Sequence, residues 1–131
     1  MSDQLNTEDK YTIQLAAHGV VALMASCRPG ALTAPRSGIA AAKALSTATG
    51  LTGQVLADKP PKLPFKGSLA KTAALALPAL TKSAKTLDGI DESEGDNFRR
   101  TMRMVAASAA ANRATSPAEA EMLRKIEDAL R

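Results

Sequence analysis

The stretch Tyr11–Cys27, YTIQLAAHGVVALMASC, contains no Asp, Glu, Lys or Arg and is the longest uncharged apolar segment around which this chain can fold. Its apolar residues recur every three or four positions, the repeat of one helix face: Ile13, Ala17, Val20, Met24 and Cys27. The stretch also holds Gln14 and His18, and at 17 residues it is shorter than a typical membrane span. We therefore expect a central buried helix from about Glu8 to Ser26.

The composition around this helix favours an all-α protein. The chain has 131 residues, of which 45% are hydrophobic, and its aromatic residues are one Tyr, two Phe and no Trp. Alanine is the most frequent residue. Alanine is the best helix former, and its small side chain lets helix axes come close together. β-Sheets draw instead on β-branched and aromatic residues.

Start and stop signals place the other helices of a compact, single-domain bundle of about five helices over residues 1–131. Helices are predicted over residues 35–49, 68–87 and 96–112, and from Ser116 onward, where Ser116 and Glu119 form a capping box. Residues 50–58 favour a short helical turn, and residues 1–7 a loose N-terminal tail. Pro78 lies inside the third helix, which we expect to be kinked or split there. Its predicted buried stripe consists of Leu69, Ala73, Leu77, Leu80, Ala84 and Leu87.

Residues 57–67, ADKPPKLPFKG, form a connector rich in Pro and Lys. Prolines suit a stiff extended linker, and Leu63 and Phe65 can pin it to the core. The same segment fits a P-x-x-P-x-K docking pattern for a polyproline-binding domain. We favour the connector, because short matches of this kind are common by chance.

Positive charge is concentrated in the middle of the chain. Residues 28–87 hold nine Lys or Arg and one acid, Asp58, for a net charge of +8, against +4 for the whole chain. Such a region favours an anionic ligand, a membrane surface or a nucleic acid. The candidate anion- or partner-binding residues are Lys59, Lys62, Lys66 and Lys71, with Lys82 and Lys85 nearby. Phe65 is the one aromatic residue there, which makes nucleic acid the weaker alternative.

The sequence indicates no catalytic residue, metal site or cofactor. His18 and Cys27 lie nine residues apart, about 13 Å along a continuous helix and on opposite sides of it, so they cannot form a dyad. One His and one Cys also fall short of a zinc site. A half-buried, hydrogen-bonded histidine is the favoured interpretation of His18, and a pocket residue is the alternative. The acidic segment 88–96 is predicted to be a loop and does not fit the EF-hand pattern.

Residues 98–131, FRRTMRMVAASAAANRATSPAEAEMLRKIEDALR, resemble the closing helix pair of TerB-like, tellurite-resistance-type domains. The resemblance rests on Ser116, Glu119, Leu123, Ile126 and Leu130, and it implies a helical hairpin. The family usually has an acidic Asp-Gly turn between these helices, where this chain has Asn112-Arg113. No metal-binding role is therefore carried over.

Two functions are favoured at this point, ahead of an enzyme, which would need a pocket that the sequence does not reveal. The first is a non-enzymatic helical protein that acts through protein–protein contact or self-association, since no catalytic set converges. The second is binding of an anionic partner through residues 28–87. A single cysteine and an acidic N-terminus without a secretory signal predict a cytoplasmic location.

Overall fold

The computed structural model describes residues 5–26, 43, 45–58, 61–65, 68–110 and 117–131. Over these ranges the chain forms helices and no strand: α1 Thr7–Ser26, α2 Gly50–Ala57, α3 Leu69–Ile90, α4 Glu92–Ala110 and α5 Pro117–Leu130. The prediction of an all-α bundle is confirmed. The short turn predicted at residues 50–58 is α2, and most of the helix predicted over residues 35–49 lies outside the described residues.

α1 is the central helix, and it contacts α2, α3, α4 and α5. Its predicted stripe is buried at Ile13, Ala17, Val20 and Met24. Cys27, the last predicted member, lies outside the described residues. The helices share one hydrophobic core, whose largest fully buried side chains include Leu23, Leu80, Leu87, Phe98, Met102, Ile126 and Leu130.

The start of α1 is fixed by a reciprocal capping arrangement. Asn6 Oδ1 accepts a hydrogen bond from the N–H of Asp9 (2.8 Å), and Asp9 Oδ2 accepts one from the N–H of Asn6 (3.3 Å). Leu5, just before the cap, is packed into the core. The predicted loose tail is therefore wrong for residues 5–7, because an apolar side chain and a cap anchor them; residues 1–4 lie outside the described part.

α1 and α3 approach each other closely at Gly19. A Cβ atom placed on Gly19 would lie 2.5 Å from Cβ of Ala76 and 3.3 Å from the ring of Phe65. Real Cβ atoms do not come so near another carbon, so only glycine fits this crossing. Phe65 reaches the same point from the connector, whose residues 61–65 contain no helix, whereas Ala57, predicted as its first residue, is the last residue of α2.

The inner face of α3 is built of small side chains. Its buried residues are Thr72, Ala76, Ala79, Leu80, Ser83, Ala84 and Leu87. Leu69, predicted to begin the buried stripe, is exposed instead. Farther along the helix the predicted stripe is confirmed, since Leu80, Ala84 and Leu87 are buried and Ala73 and Leu77 pack against the core.

α3 continues through Pro78 without a break, so the predicted split at this residue is absent. Proline cannot donate a hydrogen bond to the carbonyl one turn earlier, that of Ala74. Pro78 and Ala74 both lie on the exposed side of the helix, so water can bind the freed carbonyl.

The acidic segment that was predicted to be a loop is almost entirely helical. α3 runs to Ile90, α4 begins at Glu92, and Asp91 alone separates them. Asp91 Oδ1 accepts hydrogen bonds from the N–H (2.9 Å) and the hydroxyl (2.8 Å) of Ser93. Asp91 thereby caps the start of α4. The loop prediction and the predicted start of helix four at residue 96 are wrong, because one capping aspartate suffices for the turn.

α5 begins with Pro117, as predicted, and buries Met122, Ile126 and Leu130. Glu119 in its first turn is buried as well, whereas Ser116, the other half of the predicted capping box, lies outside the described residues. Among the described helices, none has the length and apolar character needed to cross a membrane.

Substitution of Gly19 by Ala should destabilise the protein by about 1–3 kcal/mol, because the added methyl group overlaps Ala76. The matched control is Gly89→Ala, since nothing lies within 4 Å of a Cβ at that helical position. The control should stabilise the protein by about 0.5–1 kcal/mol through helix propensity. Urea unfolding measures both, and equal effects of the two substitutions would contradict the close crossing.

Candidate functional site

His18 lies half-buried on α1 and is held by one side chain. Its Nε2 is 3.0 Å from Oε1 of Gln14, one helical turn earlier. The amide nitrogen of Gln14 donates to the carbonyl of Val55 (2.8 Å) and to that of Asp58 (3.3 Å). Because the Gln14 nitrogen faces two acceptors, its oxygen must be the atom that faces His18, and His18 Nε2 therefore carries the proton.

These hydrogen bonds hold two helices together. They join α1 to the C-terminal end of α2, where carbonyl groups lack helical partners. Burial lowers the pKa of His18 from its usual 6.5, which favours the neutral ring at neutral pH. The arrangement is that of the hydrogen-bonded histidine favoured from the sequence.

A small groove lies beside Gln14, between the start of α1, the end of α2 and the connector. Its lining residues are Thr7, Lys10, Tyr11, Gln14, Val55, Asp58 and Pro61, and its volume is about 210 Å³. His18 is not among them. Typical small-molecule sites measure about 300–1,000 Å³, so this groove is small for a metabolite.

A second groove lies between residues 47–49, which precede α2, and α4. It is lined by Thr47, Ala48, Thr49, Asn97, Arg100, Thr101 and Met104, with a volume of about 350 Å³. Met104 is 45% exposed, the highest value among the exposed large apolar side chains of the described part. We call this surface the α4 groove. Its mixture of apolar, amide and guanidinium groups suits contact with another protein.

Arg99 joins three helices. Its two terminal nitrogens donate to the two carboxylate oxygens of Asp88 in α3 (2.9 and 2.6 Å), and its Nε donates to the carbonyl of Leu130 at the end of α5 (2.7 Å). The hydrogen bonds and charge of Arg99 lower the pKa of Asp88. Gly95 makes room for this pair, because a Cβ there would overlap the Asp88 carboxylate.

Glu94 and Asp96 of segment 88–96 also have structural partners. Glu94 Oε1 accepts a hydrogen bond from the N–H of Leu51 (3.0 Å) and so caps α2, while Asp96 lies 3.6 Å from Arg99. Asn97 adds a hydrogen bond to the carbonyl of Thr49 (2.7 Å). Within the described ranges, no three His, Cys, Asp or Glu side chains are grouped closely enough to hold a metal ion.

The four candidate lysines are placed only in part. Lys62 is exposed in the connector, and Lys71 is exposed in the first turn of α3, where its N–H donates to the Ser68 hydroxyl (3.3 Å). Lys59 and Lys66 lie outside the described residues. Their convergence into one cluster therefore stays a prediction.

Sequence reasoning missed the residues that tie the helices together. Gln14 bonds to residues more than 40 positions away, and no local pattern reveals such a contact. Asp88 and Arg99, 11 residues apart, could have been paired only if α3 and α4 had been recognised as adjacent helices. Gly95 was the available signal of a close approach, but the sequence predicts a loop at this position, where a glycine carries no such meaning.

Comparison of the chain with protein-family models, with curated proteins and with solved structures finds no match. The resemblance of residues 98–131 to TerB-like domains thus stays a prediction. The described part of that region is helical, from Phe98 to Ala110 and from Pro117 to Leu130.

Replacing Asp88 with Asn should destabilise the protein by about 1–2 kcal/mol at neutral pH, because Arg99 loses a charged, partly buried partner. The pKa of folded Asp88 lies below 3.8, so its contribution is complete above that value. It is lost as the pH falls through the folded pKa. The variant should therefore show a shallower loss of stability in acid. Glu121→Gln, which breaks an exposed pair with Arg124, is the control and should change stability little; an equal effect would refute the tie.

Stability should fall as the pH drops below about 6.5, because unfolded His18 binds a proton more readily than the buried ring. The contribution is fully present above the unfolded pKa and decreases toward the lowered folded pKa. His18 is the one histidine of the chain, so His18→Gln should remove this dependence. Urea unfolding midpoints at about pH 7.5 and pH 5.5 measure this pH dependence of stability. If the two midpoints differ as much in the variant as in the parent, the pH dependence does not come from His18.

Proposed function

We propose that this protein is a non-enzymatic, cytoplasmic helical module that acts through contact with another protein or with a second copy of itself. The observation that supports the proposal is the α4 groove, where exposed Met104 lies beside Arg100 and Asn97. Exposed apolar side chains next to hydrogen-bonding groups are the ordinary composition of a protein interface.

A second observation is that the side chains that a catalytic site would need already have structural partners within the protein. His18 holds Gln14, while Asp88, Asp91 and Glu94 are engaged as ion pairs or caps. A catalytic site would require such groups to converge on one reacting position. In this protein these groups are dispersed over the bundle, which is consistent with an interaction module.

The first test is self-association measured by sedimentation velocity over a range of protein concentrations. Met104→Gln should weaken association, because it removes the exposed apolar side chain of the α4 groove. Leu69→Gln, an exposed apolar residue on α3, is the matched control and should not. A monomer at every concentration would exclude a second copy as the partner.

Turnover of a metabolite that a substitution at His18 or Cys27 abolishes would overturn the proposal as a whole.

The second candidate function is binding of an anionic partner through residues 28–87. It is favoured by the exposure of every lysine in this region that the structure describes: Lys43, Lys62, Lys71, Lys82 and Lys85. Binding should weaken as salt is added, because counterions compete for the lysines. Salt-independent binding would remove this candidate.

A further inference from the structure

The outer face of α3 carries a straight row of exposed residues. Lys71, Leu75, Pro78, Lys82 and Lys85 follow one another at intervals of four, three, four and three residues, and all are exposed. This spacing keeps them on one side of the helix over about 21 Å. We call this row the lysine stripe.

Few acids offset the charge of the lysine stripe. α3 contains one acid, Asp88, and Arg99 holds it. From the neighbouring helices, Glu8 of α1 reaches Lys82 at 3.6 Å, and the two side chains remain 76% and 58% exposed. An exposed pair of this kind contributes little and is readily exchanged for another partner. The stripe is therefore open to an external anion.

Two of the lysines border a shallow depression. Its lining consists of Pro78, Thr81, Lys82, Lys85 and Thr86. The hydroxyl of Thr81 is used, since it donates to the carbonyl of Ala129 (2.6 Å). Two ammonium groups one helical turn apart at the edge of a depression suit a phosphate group, which accepts hydrogen bonds from both.

The side chains between the lysines indicate which anionic partner fits. Leu75 is 39% exposed, and with Pro78 it places apolar surface between Lys71 and Lys82. The stripe holds no Arg, Asn or Gln to contact base edges and no aromatic ring to stack on a base. A lipid surface offers both phosphates for the lysines and an apolar layer for Leu75.

We propose that the lysine stripe of α3 docks along the surface of a membrane that contains anionic phospholipid. The inference rests on the second candidate function and specifies its partner and its surface. Lysines close to an anionic leaflet contribute about fivefold each to binding, and the contact is peripheral and reversible. α3 would lie parallel to the membrane, with its buried face still packed on α1.

The experiment is sedimentation of the full chain with phosphatidylcholine vesicles, with and without phosphatidylserine. Three variants are compared with the parent: Lys71→Gln/Lys82→Gln/Lys85→Gln, the matched connector variant Lys59→Gln/Lys62→Gln/Lys66→Gln, and Leu75→Gln. The two triple variants lose the same charge. All three changes of the stripe are at exposed helical positions, and circular dichroism checks that every variant is folded.

We expect the parent to bind the phosphatidylserine vesicles and not the neutral ones. The stripe triple should weaken binding on the order of a hundredfold, and clearly more than the connector triple. Leu75→Gln should weaken vesicle binding while leaving any binding to a DNA duplex unchanged, because it alters the apolar contact and no charge.

Three results would overturn the inference. If the connector triple variant loses more vesicle binding than the stripe triple variant, the protein binds anions through the connector and not through the lysine stripe. Stronger binding to duplex DNA than to vesicles, with no effect of Leu75→Gln, would make nucleic acid the partner. Absence of binding by the parent to any anionic surface would remove the second candidate function together with the stripe.

Discussion

The close approach of α1 and α3 at Gly19 and Ala76 governs how the helices of the bundle pack. α1 contacts every other helix described, so its distance from α3 sets where the remaining helices can pack. A chain with three aromatic residues cannot fill wide gaps between helices with large rings. It gains van der Waals contact instead by bringing helix backbones together over small side chains. Phe65 packs at this crossing and so holds the connector to the bundle as well.

Polar side chains complete the bundle at the ends of helices. α2 has eight residues, too few to be stable as an isolated helix. Glu94 and Asn97 bind its N-terminal side, and Gln14 binds its C-terminal side. Arg99 does the same for the ends of α3 and α5. The inner face of α3 carries mainly small residues, and the long, charged side chains of this helix lie on its outer face.

Sequence periodicity predicts those elements whose apolar repeats are strong. The described members of the α1 stripe are buried as expected. Apolar residues of α4 and α5 at the same three- to four-residue spacing are buried as well: Phe98, Met102, Val105, Met122, Ile126 and Leu130. Where composition replaced periodicity the prediction failed: the Asp, Ser and Gly residues at positions 88–97 suggested a loop, but they serve as a cap, an ion pair and a close contact. Those roles depend on partners in other helices, which one sequence does not reveal.

The single-residue junction at Asp91 has a consequence for the length of this segment. An α-helix turns about 100° per residue, so one residue inserted or deleted between Asp88 and Arg99 would rotate α4 away from its register with α3. Arg99 would then face neither Asp88 nor the carbonyl of Leu130, and Glu94 would leave the start of α2. A conventional loop absorbs changes of length, but this junction has no slack. Natural or engineered variants of the protein can therefore differ in side chains along this segment far more readily than in residue count.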